Sequence, residues 1–397
     1  KEKVGADRGY IITGHRLSAS YSGSKIKWIM NNEKDIYRQT YKFLQPKDYI
    51  IAKLTGCFAT DYSDASGTNL LDLKKLKWSE EIIDTLKLDY EKLPELKKSI
   101  DIAGTLKKDA AKALNLPQDI PVVIGAGDGV TASVGAGAVS RGKLYNYLGS
   151  SSWIALAADT PVYDEEKKTF NWVHAVPEMY VPCGTMQSAG ASYTWLRDNI
   201  AWMENGSAEN LNMETYDLMN LQVEKSSPGS GKLLFLPYLM GERSPHWNPR
   251  ARGAFIGLSM NNNRTDIMRA VMEGVTFNLK IILDSFEKEF DFEEMRVIGG
   301  GAESKIWRQI MANIFRKKIL KVKMLREAPS LGAAIIGGVG VNIFSDFSVV
   351  DDLNPVDDIT DFSDQIAETY DSLYPVFKKS YKALLDIYDE LDQLERR

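Results

Sequence analysis

Twice in this chain an apolar run breaks at glycines and then reads as a helix: in "IPVVIGAGDGVTASVGAGAV", which contains Asp128, and in "EMRVIGGGAESKIWRQIMANIF", which contains Gly300. The first opens as a continuous apolar stretch bounded by proline and glycine, which reads as a buried strand, and its small residues after Asp128 suit a closely packed helix. The second reads as strand, glycine loop and helix. Open α/β sheets hold their ligands at the carboxyl ends of strands, so both turns are candidate sites. Asp128 is the one ionisable residue in its stretch, and a buried carboxylate is costly unless paired or hydrogen-bonded. It reads either as a turn or N-cap residue or as a base that takes the proton of a substrate hydroxyl, as phosphoryl transfer requires.

A length of 397 residues gives room for two to three domains at about 150 residues each. The net charge of −5, with acids and bases interspersed, shows no basic stripe and argues against nucleic acid as a partner. Cys57 and Cys183 lie far apart, so neither a zinc knuckle nor a disulfide framework is expected, and three histidines argue against a histidine-built metal site. The late apolar segment "SLGAAIIGGVGVNIF" is too short and glycine-rich for a membrane span of about 20 residues. No signal peptide opens the sequence. A soluble, cytoplasmic protein is the expectation. The opening "KEKVGADRGYIITG" has no methionine and reads as the middle of something.

Along the chain the pattern predicts helices to about Thr55, a loop over 56–73, further helices to Glu91, a strand "DIAGTL" and a helix "KDAAKALNL". Near Gly142 the texture changes to "KLYNYLGSSSWIALAADTPVY", which alternates around a Gly-Ser turn and reads as a β-hairpin. That change places the domain boundary, giving 1–142 and 143–397. Ile267, Val271, Val275 and Leu279 lie four apart and predict a long amphipathic helix. In "LGSSSW", Gly149, Ser150 and Ser151 read either as a phosphate-binding nest or as an ordinary hairpin turn. "VIGGGAESKIW" is neither the dinucleotide fingerprint nor a Walker A loop, although a strand entering a helix through glycines exposes free helix amides. Glu242 and Arg243 read either as a substrate contact or, in preference, as an exposed ion pair, His246 as a hydrogen-bonded loop residue, and Trp153, Trp195 and Trp307 as core.

The stretches "SYSGSKIKWIMNN" (20–32) and "GAFIGLSMNNNRTDIMRAVME" (253–273) resemble the two signature patterns of the FGGY family of carbohydrate kinases. "ATDYSDASGTNLLDL", "VIGAGDG", "YLGSSSW", "LPYLMGERSPHWNP" and "GGGAESKIWRQIMA" fall where such a kinase has them, so the resemblance spans essentially the whole chain. It implies two ribonuclease H-like domains of the actin and hexokinase type, with sugar and ATP meeting in the cleft between them: 1–142 on the sugar side and 143–397 on the ATP side. Asp128 matches the family's catalytic base. Gly149, Ser150 and Ser151 match the loop facing the ATP phosphates. Gly190 in "SAGASYTWLRD", with Gly300, Gly301, Ser304 and Lys305 in the third glycine turn, matches positions around the nucleotide. The resemblance also implies a phosphate-bridging Mg2+ held largely by water and a homodimer. Within the family "GERSPH" is similar to the xylulokinase version, which favours a ketopentose, D-xylulose first, with gluconate, ribulose, glycerol or another polyol as alternatives. A non-catalytic nucleotide- or sugar-binding sensor is the alternative of a different class.

Two departures from the family pattern stand out. The amino-terminal strand pair with its Asp-x-Gly-Thr phosphate turn is not in this sequence, and "DASGT" at Asp64 does not replace it. The first domain is therefore expected to be incomplete, with an exposed sheet edge and little activity. Gly129 stands where the family's xylulokinases and glycerol kinases carry an amide side chain able to touch the substrate, so one sugar contact is expected to be absent or supplied elsewhere.

Overall fold

The structure is a computed structural model and describes residues 4–395. The chain forms two compact units: Lys1–Lys143, Leu156–Cys183 and Glu327–Pro355 make the first; Leu144–Ala155, Gly184–Arg326 and Val356–Arg397 make the second. The expected division into 1–142 and 143–397 lies beside the first crossing, at Lys143/Leu144, but two later segments return to the first unit. Texture marked the crossing, where helical sequence gives way to alternation. It could not mark the returns, because their strands and helix resemble the elements around them.

In the first unit, helices Ala6–Thr13, Ser22–Asn32, Lys34–Gln39 and Pro46–Thr55 open the described chain. The predicted loop over 56–73 instead holds the strand Ala59–Asp61 and the helix Tyr62–Ser66. Ala59–Asp61 pairs in parallel with Glu95–Lys97 as a two-stranded sheet. Three residues of "ATD" are too few and too polar to register as a strand by pattern. The predicted buried strand before Asp128 is shorter and more open than expected: Pro121–Val123 is partly exposed and pairs antiparallel with Ile102–Thr105. The helix Asp128–Gly135 packs against Ala328–Gly340 with backbone touching backbone. A Cβ on Gly332 would stand 1.9 Å from the Thr131 carbonyl oxygen, and one on Gly135 would stand 1.7 Å from that of Ala328. Only glycine permits that approach. Asn354 secures the crossing by donating from Nδ2 to the Gly135 carbonyl at 2.9 Å.

The first unit also buries His174. The Val176 amide donates to Nδ1 at 2.9 Å, so the ring carries its proton on Nε2 and donates to the Ala138 carbonyl at 2.9 Å. Burial pulls the imidazole down to about 4, because no opposite charge compensates its desolvation.

The second unit is built on a sheet whose strands run in the order Val356–Thr360, Lys318–Val322, Glu294–Ile298, Leu144–Leu148, Ser152–Leu156, with the end of Tyr180–Met186 alongside. Lys318–Val322, Glu294–Ile298 and Leu144–Leu148 run parallel, as strands joined by crossover helices do. The helix Arg264–Phe286 is set by a reciprocal cap: Asn263 Oδ1 accepts from the amides of Thr265 and Asp266, and Asp266 Oδ2 accepts from the Asn263 amide. Its expected one-sided apolar stripe understates it, since it is buried on nearly every face. Arg269 and Glu273 pair inside it at 2.7 Å, and Tyr370 hydrogen-bonds both. Cys57 and Cys183 are both free thiols. Among the described residues no helix is long and apolar enough to cross a membrane.

Candidate active site

Parallel pairing places two glycine turns side by side in the second unit. Ile298 aligns with Tyr147, so Leu144–Leu148 and Glu294–Ile298 end together, one entering turn 149–151 and the other turn 299–301. Gly299 has φ +90°, and a Cβ there would come within 2.7 Å of the Leu148 carbonyl oxygen. The two turns thus pack backbone to backbone, and only glycine satisfies both the dihedral and the distance.

Beside them lies a cavity of about 460 Å³, the size of a small-molecule site. Of the expected residues, Gly149, Ser150, Gly190, Gly300, Gly301 and Ser304 line it; Ser151 and Lys305 do not. Lys305 is exposed in the first turn of the helix Lys305–Phe315, one residue beyond the bend that faces the cavity. The expected free helix amides need correction as well. A short 3-10 turn, Gly300–Glu303, intervenes, and the Ser304 hydroxyl accepts from the Trp307 amide, capping the helix from within the chain. At the helix Gly190–Asn199, the amides of Ala189 and Ala191 donate to the Ser150 carbonyl, and that of Gly190 donates to the Gly149 carbonyl, each at 2.9 Å. These amides hold the turn itself. The hydroxyls of Ser150 and Ser151 have no partner among the described residues, which leaves the turn's side chains as its available donors.

The rest of the lining is aromatic and polar. Tyr193 stacks on Tyr216 with centroids 5.7 Å apart and donates to Asn220 Oδ1 at 3.2 Å. Trp307, predicted as core, is buried and also lines the cavity, donating from Nε1 to Thr276. Trp153 and Trp195 are half-buried, stacked on Tyr147 and Phe235. Arg326 and Glu303 form a two-pronged ion pair, 2.9 and 3.2 Å, that borders the cavity. Sequence reasoning missed Tyr193 and Thr194, although they lie three and four residues after Gly190 and so share its helix face. Arg326 carried no local signal. It borders the cavity because the strand that precedes it, Lys318–Val322, runs parallel beside Glu294–Ile298.

In the first unit Asp128 is exposed at the first helical position, after the N-cap residue Gly127. The capping role is therefore Gly127's, and the Asp128 carboxylate accepts only its neighbour's amide, Gly129 N–H at 2.7 Å. The preceding turn is held firmly. Gly127 N–H donates to Ser63 Oγ at 2.8 Å, and the hydroxyls of Ser63 and Ser99 donate to Asp61 Oδ2 at 2.5 and 2.9 Å. Lys47 stands 2.9, 3.3 and 3.4 Å from Asp48, Asp61 and Asp64, and donates to the Ile124 carbonyl. Burial, reinforced by the neighbouring Asp61, pushes the Asp64 carboxyl up to about 7. Around Gly129 no atom lies within 4 Å of where a Cβ would stand.

Glu242 overturns its expected exposure. It is 3% exposed and its carboxyl is pushed up to about 8 by burial. It accepts the Arg243 amide, not an ion pair with the exposed Arg243 guanidinium. His246 is hydrogen-bonded as expected, with Nε2 3.0 Å from the Tyr238 hydroxyl.

Comparison with known proteins gives the family to which these two sites belong. Residues 1–135 match the N-terminal domain of the FGGY family of carbohydrate kinases and residues 144–341 its C-terminal domain. The chain belongs to that family and has its two-domain, ribonuclease H-like fold. It is 31% identical over 405 residues to the gluconokinase of Bacillus subtilis, covering 100% of this chain and 77% of that one. It is 32% identical to the xylulose kinase of Lactococcus lactis, covering 96% and 74%. Among solved structures, ligand-bound xylulose kinase from Lactobacillus acidophilus superposes with a TM-score of 0.90 at 28% identity, covering 98% of this chain and 77% of that one. Gluconate kinase from the same organism gives 0.89 at 28%, with the same coverage.

Proposed function

We propose that this chain transfers the γ-phosphoryl group of ATP to the terminal hydroxyl of an open-chain sugar, with D-xylulose, giving D-xylulose 5-phosphate, as the first candidate. The observation that carries the reading is the Asp128 carboxylate, solvent-facing at a helix start and fixed by the Gly127–Ser63–Asp61 relay. In its assigned role Asp128 takes the proton from the attacking hydroxyl as the oxygen bonds to phosphorus, and ADP leaves. Units one and two serve the sugar and the nucleotide respectively. Gly149 and Ser150 face the phosphates, and Gly190, Gly300, Gly301 and Ser304 border the nucleotide. Among the described residues no three acidic, histidine or cysteine side chains form a metal-holding group. Mg2+ carried by the nucleotide phosphates and water needs only one or two carboxylates from protein and would neutralise phosphate charge.

D-gluconate is the second reading. Gly129 supports it, since the amide side chain of the ketose and glycerol kinases is lacking and the space is open. The gluconokinase relatives support it too. A coupled ADP-release assay on the full-length protein with D-xylulose, D-gluconate, ribulose and glycerol separates them. Asp128→Asn is expected to lower turnover on the order of a thousand-fold while ADP still binds. Retained turnover in the variant removes Asp128 from its role, and nucleotide binding without phosphorylation of any acceptor favours a sensor.

A further inference from the structure

The "GERSPH" loop does not line the nucleotide cavity, yet its buried glutamate is tied to the turn that does. Glu242 Oε1 accepts two backbone amides, Gln187 N–H at 2.8 Å and Arg243 N–H at 2.9 Å. Its other oxygen accepts Asn278 Nδ2 at 3.2 Å, and Asn278, on the buried helix Arg264–Phe286, accepts the Tyr238 hydroxyl through Oδ1. Gln187 begins the short turn that reaches Gly190. Two residues on, Ala189, Gly190 and Ala191 donate their amides to the Gly149 and Ser150 carbonyls. One turn therefore grips the 149–151 turn at its far end and is gripped by Glu242 at its near end. There is little slack between them, since a Cβ on Gly190 would stand 2.5 Å from the Gly149 carbonyl oxygen.

We propose that Glu242 is a positioning residue for the nucleotide phosphates: it fixes turn 187–191 to the central helix and so sets where turn 149–151 presents Gly149 and Ser150. The inference rests on the cavity being the nucleotide site. The chemistry explains the residue type. Two amide donors converge on one oxygen in a buried position, and an apolar side chain there leaves both unsatisfied. A carboxamide keeps the acceptor. The aromatic half of the cavity, where Tyr193, Tyr216 and Trp307 stand, has no hydrogen bond to Glu242, so its contribution falls on the end at turn 149–151.

The test titrates the full chain with adenosine, ADP and a non-hydrolysable ATP analogue by calorimetry. Glu242→Ala is expected to weaken ADP and the analogue ten-fold or more while changing adenosine less than two-fold. Glu242→Gln restores ADP to within about three-fold of wild type. Asn278→Leu, which loosens the carboxylate without removing it, gives the same selective loss at about three-fold and keeps the test open where Glu242→Ala does not fold. Equal losses for adenosine and ADP, no loss for ADP, or a Gln variant as poor as Ala each overturn the positioning role. Wild type that binds neither ADP nor the analogue refutes the nucleotide site itself.

Discussion

Gly332→Ala adds a single methyl group to the helix Ala328–Gly340, and the structure says it cannot be absorbed. The new Cβ would meet the Thr131 carbonyl oxygen at 1.9 Å and the Gly135 amide nitrogen at 2.8 Å. These are backbone atoms with no rotamer to escape into. Reaching an ordinary contact requires the helices to part by roughly 1.5 Å, and overpacking of this kind costs about 1–3 kcal/mol or more. Alanine's helix propensity returns up to about 1 kcal/mol. The control is on the same helix: around Gly337 no atom lies within 4 Å of a Cβ, so Gly337→Ala keeps the propensity gain without the clash. Urea unfolding is expected to show Gly337→Ala stabilised by about 0.5–1 kcal/mol and Gly332→Ala destabilised by about 2 kcal/mol, a gap near 3 kcal/mol. Because Asp128 begins the displaced helix, turnover in Gly332→Ala should also fall on the order of a hundred-fold, the usual penalty for about 1 Å of misplacement. Two variants within about 0.5 kcal/mol of each other would refute the backbone-contact reasoning.

Acid should unfold the protein partly through His174. Its folded pKa of about 4 lies below its unfolded value of 6.5, so its contribution is fully present above about pH 6.5 and is lost as pH falls toward 4. The stability difference between wild type and His174→Gln should shrink by about 2 kcal/mol from pH 7 to 5; a constant difference rejects the buried neutral ring. Asp64 acts in the opposite sense. Its folded pKa of about 7 exceeds the ordinary 3.8, so stability held below about pH 4 is lost as pH rises through 7. Asp64→Asn should therefore gain on wild type by about 4 kcal/mol between pH 4 and 8, read from the slope of two urea series, and parallel slopes count against it. Gly190→Ala places a methyl against the Gly149 carbonyl and should weaken ADP at least ten-fold by calorimetry; unaltered affinity breaks the link between that helix start and turn 149–151.

What the sequence disclosed, and what it hid, follows the range of the interactions involved. Glu294–Ile298, its glycine turn and the helix Lys305–Phe315 were legible because an apolar run, three glycines and a Ser cap lie within about twenty residues and act locally. The hairpin around Gly149 was legible for the same reason. That the two turns share one cavity depends on Ile298 aligning with Tyr147, residues 151 apart, and no local pattern carries such a register. Glu242 was misread because the nearest opposite charge in sequence is Arg243, whereas its carboxylate is claimed by Gln187 and Asn278 from elements 55 and 36 residues away.

The glycines show the same division at its sharpest. In "SLGAAIIGGVG" Gly332 and Gly337 look equivalent, and both only lowered the apolar content of a candidate span. In the folded chain one is a backbone contact with the Asp128 helix, two hundred residues distant, and the other faces open space. A glycine's role is set by what approaches it, which local sequence does not encode. The same rule separates Gly129 from Gly127 on either side of Asp128. A Cβ on Gly127 would meet the Asp64 carboxylate at 2.9 Å, while Gly129 has room on every side. Position 127 is fixed by the scaffold that holds Asp128, and position 129 is not constrained by any neighbour outside its own helix.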